Sequence, residues 1–199
     1  MVSVPCVLNT SPALSVPSPT TASGHAEGVT NDEFRAAMSR LAAGVVLVTA
    51  QEPPLDPDDP QAPAGEDVGM TATAFMSVSL DPPLALVSLR EGSRMDDLLA
   101  EQPLWAVSIL AENQRHIAGR FAMKGRISDR LLFKELSWTR GESSGAPLLT
   151  DALATFELRT EQRVTAGDHT LVVGRVLTAR VPGTGGPLLY YRGRYRHLG

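Results

Sequence analysis

The sequence predicts a mainly β protein, an antiparallel barrel with a few helices. Strand-like runs outnumber helical ones by at least six to three, and they lack the regular strand-helix alternation of a parallel sheet. Two of the longest runs flank a tight turn, which is typical of a β-hairpin. The chain has 199 residues, 43% hydrophobic and 20% charged, so it fits one domain of roughly 150 residues plus a tail.

The domain is expected to span residues 29–199. Residues 1–28 are rich in Ser, Pro, Thr and Ala without any period, which indicates a disordered leader. Thr30, followed three residues later by Glu33, forms a capping-box pattern. The sequence therefore predicts a helix from Thr30 that Gly44 ends.

The remaining elements follow in order along the chain. Residues 52–67 carry five prolines and several acidic residues, so we expect a flexible surface loop there. Residues 81–83, Asp-Pro-Pro, predict a turn between two strands. Strands are predicted over 45–50, 68–80, 84–89, 104–110, 153–164, 170–181 and 188–191, and helices over 93–101 and 113–123.

Composition excludes several classes of protein. The formal net charge of -4 supplies no basic field to attract nucleic acid or an anionic membrane. No apolar run approaches the ~20 residues that cross a bilayer. Cys6 is the single cysteine, so no intrachain disulfide forms, and no Lys or Arg precedes Arg35 to start a secretory signal. We expect a cytoplasmic protein.

Several catalytic motifs are absent from the sequence. Residues 183–188 fail the GxGxxG pattern at its third glycine, and no GxxxxGK[ST] or GxSxG occurs. The four histidines are scattered, and no Cys/His pair has metal-ligand spacing. Rossmann, P-loop, hydrolase and metal-enzyme functions are therefore not supported.

The most informative segment is 69–83. Small and hydroxyl residues would line one face of an extended strand, namely Thr71, Thr73, Ser77 and Ser79. Such a face lets a planar ligand approach the backbone, where hydroxyls and amides meet its polar groups. The alternative is a strand whose polar face is only solvated.

Three further clusters each allow more than one interpretation. In 167–170 the turn presents His169 at the rim of a sheet, either to contact a ligand or as a merely exposed side chain. In 190–196 arginines and tyrosines alternate, which suits a flat ring with phosphates, RNA, or simply a strand or subunit contact. In 120–126 three cations either hold an anion or offset the dipole of their own helix.

Taken together, five segments in this order resemble the short-chain flavin reductases, the reductase components of two-component flavin monooxygenases. This family shares the FMN-binding split barrel. The resemblance covers nearly the whole chain after about residue 30. Its segments are 34–46 (FRAAMSRLAAGVV), 69–83 (GMTATAFMSVSLDPP), 107–114 (VSILAENQ) with 120–122 (RFA), 167–170 (GDHT) and 187–195 (PLLYYRGRY).

The resemblance implies a homodimeric antiparallel split β-barrel with the flavin in a groove near the subunit interface. It implies His169 as the catalytic residue, reaching toward the nicotinamide nucleotide. Contacts to the flavin ring and ribityl chain are implied for Thr71, Ala72, Thr73, Ala74, Ser77 and Ser79. The ribityl and phosphate would lie near Ser88, Leu89, Ser93 and Arg94, the phosphate end near Phe121, Lys124 and Arg126, and the groove would be closed by Tyr191 and Arg194.

Two positions depart from the family pattern. Thr73 stands where Asn is common, which shortens or removes an amide hydrogen bond to the flavin. Met76 stands where Thr is common, which removes a hydroxyl beside the ring. Both changes are expected to lower flavin affinity or alter the choice between FMN and FAD.

The implied function is an NAD(P)H:flavin oxidoreductase that reduces FMN, or FAD, and supplies diffusible reduced flavin to a partner monooxygenase. Neither NADH nor NADPH is favoured by the residues. Three alternatives stay open: a split-barrel enzyme that holds its flavin tightly and reduces another acceptor, a non-catalytic flavin or haem carrier, and a nucleic-acid module built on the Arg/Tyr tail.

Overall fold

The computed structural model describes residues 28–198, apart from residues 55, 57, 60, 124, 126 and 127. The predicted disordered leader, 1–28, therefore lies outside the described residues except for Gly28. None of the described helices combines the length and the apolar character that a membrane span requires.

A seven-stranded antiparallel sheet forms the centre of the fold, in the order β3-β2-β6-β9-β10-β5-β4. Its strands agree with the predicted ones, because runs of β-branched and aliphatic residues suit a pleated, buried surface. The strands are β2 Val46–Gln51, β3 Asp67–Ala72, β4 Phe75–Leu80, β5 Pro83–Arg90, β6 Leu104–Ile109, β9 Ala154–Ala166 and β10 His169–Arg180.

The predicted continuous strand 68–80 is wrong in one respect, since it is two strands. β3 and β4 lie at opposite edges of the sheet, yet only Thr73 and Ala74 separate them. Two residues bridge at most about 11 Å, so the sheet must curl until its edges meet. β3 and β4 share no ladder. The structure is thus a barrel that is split between these two strands, as the split-barrel fold predicts.

The helices pack in two different places: α2 contributes to the core inside the barrel, whereas α3 and α4 contribute to a second core. The predicted capping box is confirmed, because the Thr30 hydroxyl accepts from the Glu33 amide while the Glu33 carboxylate accepts from the Thr30 amide. The helix that we did not predict, α4, has six residues and follows a break in the described chain. The predicted end of the first helix at Gly44 is wrong, since α1 ends at Met38 and Gly44 lies in a strand. The helices are α1 Asn31–Met38, α2 Arg94–Glu101, α3 Arg115–Ala122 and α4 Asp129–Lys134, with a 3-10 turn at Glu112–Gln114 before α3.

Short strands complete the fold. β1 Ala43–Gly44 pairs with β11 Leu189–Tyr191, which pairs with β12 Arg194–Arg196. Residues 194–196 of the basic tail therefore form a strand, which pairs with β11 and packs Tyr195 against Tyr190. A second pair joins β7 Trp138–Arg140 and β8 Pro147–Leu149.

Two apolar cores hold these layers together. The first fills the barrel, where Trp105, Leu158 and Val172 are fully buried. The second lies between the sheet and helices α3 and α4, where the tilted rings of Phe121 and Phe133 pack with their centroids 5.1 Å apart. Large-to-small changes in either core are expected to cost about 2–5 kcal/mol.

The predicted loop 52–67 connects β2 to β3. Its two ends are fastened together, because the Glu52 amide donates to the Glu66 carbonyl at 2.9 Å. Arg94 of α2 binds both Glu52 and Glu66. The loop therefore has a fixed base, and the mobility expected for its remainder stays a prediction.

Candidate functional site

The two-residue crossover from β3 to β4 is the centre of the candidate site. Pairing of β3 with β2 ends at Ala72, and pairing of β4 with β5 begins at Phe75. The amides of Thr73 and Ala74 therefore lie outside both ladders, although the Ala74 carbonyl accepts from the Ser88 amide at 3.0 Å. Small, exposed residues here leave the backbone accessible to a ligand.

A pocket of about 490 Å³ opens onto this crossover. The volume is within the range of small-molecule sites, about 300–1,000 Å³. Three separate parts of the sequence meet there: the helix α1 with its following turn, the crossover, and the β11–β12 hairpin. The lining residues are Phe34, Arg35, Met38, Ser39, Leu41, Ala43, Thr73, Ala74, Tyr190, Arg192 and Gly193.

The pocket combines apolar walls with two cations. Phe34, Met38 and Tyr190 supply flat or flexible apolar surface, while Arg35 and Arg192 supply positive charge. Arg192 takes a left-handed backbone conformation, φ 51°, at the turn between β11 and β12. Such a lining suits a planar aromatic ligand that carries an anionic group.

The hydroxyl residues predicted on one face are divided by the crossover. The Thr71 hydroxyl donates to the Ala118 carbonyl of α3 at 2.8 Å, so it is used within the fold. Thr73 lines the pocket, while Ser77 is exposed and Ser79 half-buried on β4. The prediction that these four hydroxyl residues share one face was wrong. The segment forms two strands at opposite edges of the sheet, and each strand presents a different surface.

The turn before α2 is occupied by internal contacts. The Ser93 hydroxyl caps the helix by accepting from the Asp96 amide. Arg94 binds Glu52 and Glu66 and lies 3.8 Å from a carboxylate oxygen of Asp129. A phosphate would compete with these carboxylates for Arg94.

Two of the predicted cofactor contacts lie in the cores. Leu89 is 0% exposed inside the barrel, and Phe121 is 1% exposed against α4. Their side chains contribute packing, so a cofactor reaches at most their backbone. Ser88 and Ala72 lie next to the crossover, half-buried and buried respectively.

The predicted cationic cluster at the end of α3 is only partly described. Lys124 and Arg126 lie outside the described residues. Arg120 forms an ion pair with Glu135, which lowers the pKa of the Glu135 carboxyl through a hydrogen bond and charge. Arg120 therefore pairs with a carboxylate of the protein itself rather than with an external anion.

His169 begins β10, next to the hairpin turn. Its Nδ1 lies 2.8 Å from the Asp168 carboxylate, and this hydrogen bond lowers the pKa of the Asp168 carboxyl. An ionised carboxylate only accepts, so Nδ1 carries the hydrogen and Nε2 is left for another partner. Its side chain is 42% exposed, and it does not line the pocket at the crossover.

The β11–β12 hairpin, part of the candidate segment 190–196, lines the pocket with other residues than the two predicted contacts. Tyr190 and Arg192 line the pocket, whereas the predicted Tyr191 and Arg194 do not. Side chains alternate across a strand, so identifying the right tyrosine requires knowing the pairing of β11 with β1 and β12. Arg35 was missed for a similar reason, since its contact depends on how α1 docks.

Within the described ranges, no group of three His, Cys, Asp or Glu side chains is placed to hold a metal ion.

The split barrel with an open backbone crossover and a small, partly cationic pocket defines a ligand-binding β-barrel protein.

Comparisons with known proteins identify the family to which the chain belongs. The model of the flavin reductase like domain matches residues 38–199, so the chain belongs to the flavin reductase-like family. An NADH-dependent flavin reductase of Rhodococcus sp is 40% identical over 170 residues, covering 85% of this chain and 88% of its relative. A longer Rhizobium meliloti protein named "Probable flavin reductase" is 36% identical over 162 residues, 81% of this chain but 47% of its own length.

Solved structures agree with the fold. BorF, the flavin reductase component of a bacterial two-component tryptophan halogenase, matches with a TM-score of 0.74 and 37% identity, covering 85% of this chain and 98% of BorF. The styrene monooxygenase flavin reductase from Pseudomonas putida S12 matches with a TM-score of 0.67 and 32% identity, covering 83% and 97% of the two chains.

Proposed function

We propose that the protein is an NADH-dependent flavin reductase that reduces FMN or FAD and releases the reduced flavin to a separate monooxygenase. The observation that carries this proposal is the open Thr73–Ala74 crossover facing a pocket, in a chain of the flavin reductase-like family. The names of relatives as NADH-dependent enzymes favour NADH over NADPH.

The residues at the crossover fit a flavin. The amides of Thr73 and Ala74 suit the polar edge of a flat ring, and the small side chain of Ala74 leaves room for it. Arg35 and Arg192 supply positive charge within the same pocket. A bound flavin supplies the chemistry, which is acceptance of a hydride from the nicotinamide nucleotide. The protein then contributes binding and orientation.

His169 is proposed to contact the nicotinamide nucleotide. The Asp168 carboxylate holds Nδ1 in its protonated form, so Nε2 is the nitrogen that meets the ligand. We expect His169→Ala to raise the KM for NADH while the affinity for flavin stays the same. Loss of flavin binding alone would instead favour a carrier without catalysis.

The working molecule is proposed to be a cytoplasmic homodimer. Large apolar side chains are uncovered in the pocket and just beyond the crossover: Phe34 in the pocket lining is 56% exposed, and Met76 on β4 is 60% exposed. An exposed apolar surface of this kind is typical of a subunit contact. The single cysteine is compatible with a reducing compartment.

Size-exclusion chromatography with light scattering tests the dimer. Phe34→Glu places a charge on the apolar surface and is expected to shift the protein to a monomer with lower flavin affinity. The matched control is Val181→Glu, because Val181 is 82% exposed and lies outside the pocket lining. A monomeric wild type would contradict the proposed dimer.

A steady-state assay tests the reaction. Purified protein is given NADH or NADPH with FMN, FAD or no added flavin, and nicotinamide oxidation is followed at 340 nm. We expect oxidation of NADH that saturates with added free flavin. Turnover without added flavin would indicate a tightly held cofactor, and flavin binding without any oxidation would contradict the reductase function.

A further inference from the structure

An ion pair below the barrel rim connects α2 to β9. The Asp96 carboxylate is 7% exposed, and its Oδ1 accepts from Nη2 of Arg163 at 2.6 Å. Its Oδ2 accepts from the Gly92 amide at 3.2 Å. One side chain therefore holds both the strand β9 and the turn that precedes α2.

Arg163 has few other ways to satisfy its charge. Its side chain is 26% exposed, and its Nη1 is buried without a hydrogen-bond partner among the described residues. Separating a largely buried charge from its partner is costly, so the geometry of the Asp96–Arg163 pair is strongly fixed.

The same turn is held a second time at the tip of the hairpin. The Glu91 amide donates to the Asp168 carbonyl at 3.0 Å, and Arg90 lies opposite His169 in the β5–β10 ladder. The segment from Arg90 to Ser93 is thus fastened on one side to the hairpin tip and on the other to β9.

We propose that Asp96 and Arg163 are positioning residues that set the turn before α2 relative to His169. This inference rests on the proposed function, which gives His169 the contact to the nicotinamide nucleotide, and on the family resemblance, which implies that Ser88 and Ser93 lie near the ribityl chain and phosphate of the flavin. A shift of about 1 Å between two bound reactants lowers the rate by about 100-fold, so a pair that fixes this distance affects the chemical step as well as stability.

Stopped-flow reduction of FMN by NADH, with both at saturation, tests the proposal on the full-length protein. Asp96→Asn keeps an acceptor for the Gly92 amide but removes the charge that orients Arg163. We expect its saturated hydride-transfer rate to fall about 10- to 100-fold and its Kd for FMN to rise about tenfold. Arg163→Lys keeps the charge, so its rate should lie between the rates of Asp96→Asn and the wild type.

The matched control is Glu161→Gln, which removes the ion pair between Glu161 and Arg175 on the exposed part of the same hairpin. Its rate and FMN affinity should stay within about twofold of the wild type. If Asp96→Asn fails to fold, Asp96→Asn with Arg163→Met removes both charges and is expected to fold while losing the same positioning.

The proposal is overturned if the variants change only the melting temperature, with wild-type rate and FMN affinity. A wild type that binds FMN without turnover would contradict the proposed reductase function instead. In that case the ratio of FMN Kd values between wild type and Asp96→Asn still decides the positioning role.

Discussion

Two regions of the molecule differ in how they treat side chains in an unfavourable environment: one is a buried carboxylate and the other is an exposed apolar surface. On β9, the Glu157 carboxylate is 0% exposed, yet it accepts from the Ser143 amide, the Ser144 amide and hydroxyl, and the Thr178 hydroxyl. At the pocket, apolar side chains such as Phe34 and Met38 are exposed instead. The chain satisfies its buried charge by itself, whereas it leaves the apolar side chains at the pocket exposed.

The close packing around the Glu157 carboxylate explains why residue 141 is a glycine. A Cβ on Gly141 would lie 2.4 Å from a carboxylate oxygen of Glu157 and 2.6 Å from the Ser144 hydroxyl. The loop after β7 therefore approaches the carboxylate more closely than any other residue type permits. This region is complete within one chain, and its contribution is to stability.

Removing the Glu157 carboxylate should have the largest effect. Glu157→Ala leaves buried donors without an acceptor, so we expect the free energy of unfolding to fall by about 4 kcal/mol. Urea denaturation measures it. The control is Glu161→Gln on the same strand, where an exposed ion pair is worth less than about 1 kcal/mol. Similar losses in both variants would refute the special role of the Glu157 site.

The same carboxylate should make stability depend on acid pH. Burial alone would raise the pKa of Glu157, but the hydrogen bonds from Ser144, Thr178 and Ser143 outweigh it and lower the pKa. A lowered pKa means that the unfolded chain binds the proton more readily, so stability falls as pH falls. The stability difference between wild type and Glu157→Gln should therefore be full at pH 7 and shrink below about pH 4.

Measuring unfolding at pH 7, 5, 4 and 3 for both proteins provides the check. A difference that stays constant down to pH 3 would show that Glu157 is not the titrating group. Thermal unfolding in the same buffers supplies a second reading of the same comparison.

Filling the pocket at the crossover should leave the stability of the protein unchanged and lower its affinity for flavin. Ala74→Leu places a larger side chain at the crossover, so we expect the flavin affinity to fall about 30-fold with an unchanged melting temperature. Flavin fluorescence titration measures it. Ala100→Leu, on an exposed position of α2 outside the pocket, should bind flavin like the wild type. Equal affinities for all three proteins would exclude the crossover from the flavin site.

The smallest effect is expected where the crossover begins. Thr71→Val removes the hydroxyl that donates to the Ala118 carbonyl of α3, at a cost of about 1 kcal/mol. Thr139→Val, on the exposed face of β7, should change stability by less than about 0.5 kcal/mol. If Thr71→Val instead abolished flavin binding with no loss of stability, its hydroxyl would belong to the flavin site.

Much of the fold was predictable because its signals are local. The capping box at Thr30, the cap at Ser93 and the hairpin turn near Gly167 each depend on neighbouring residues, and the structure confirms them. For 190–196 a strand was one of several interpretations, and only the pairing of β12 with β11 decides for it.

The candidate site was predictable only in part. Thr73 and Ala74 were identified from the family pattern and do line the pocket. Leu89 and Phe121 were expected beside the cofactor, but their neighbours in space place them in the cores. Burial depends on packing between distant segments, which a pattern in one segment does not contain.

The sequence by itself determined the family, the mainly β architecture and the segment at which the flavin is proposed to bind. Small residues, hydroxyls and turn residues act locally, so their order along the chain is sufficient for these conclusions. The tertiary structure decided that 68–80 crosses between sheet edges, that Tyr190 rather than Tyr191 lines the pocket, and that Asp96 meets Arg163. Each of these depends on strand pairing and helix docking between residues far apart in the chain, which fix which side of an element faces its neighbours.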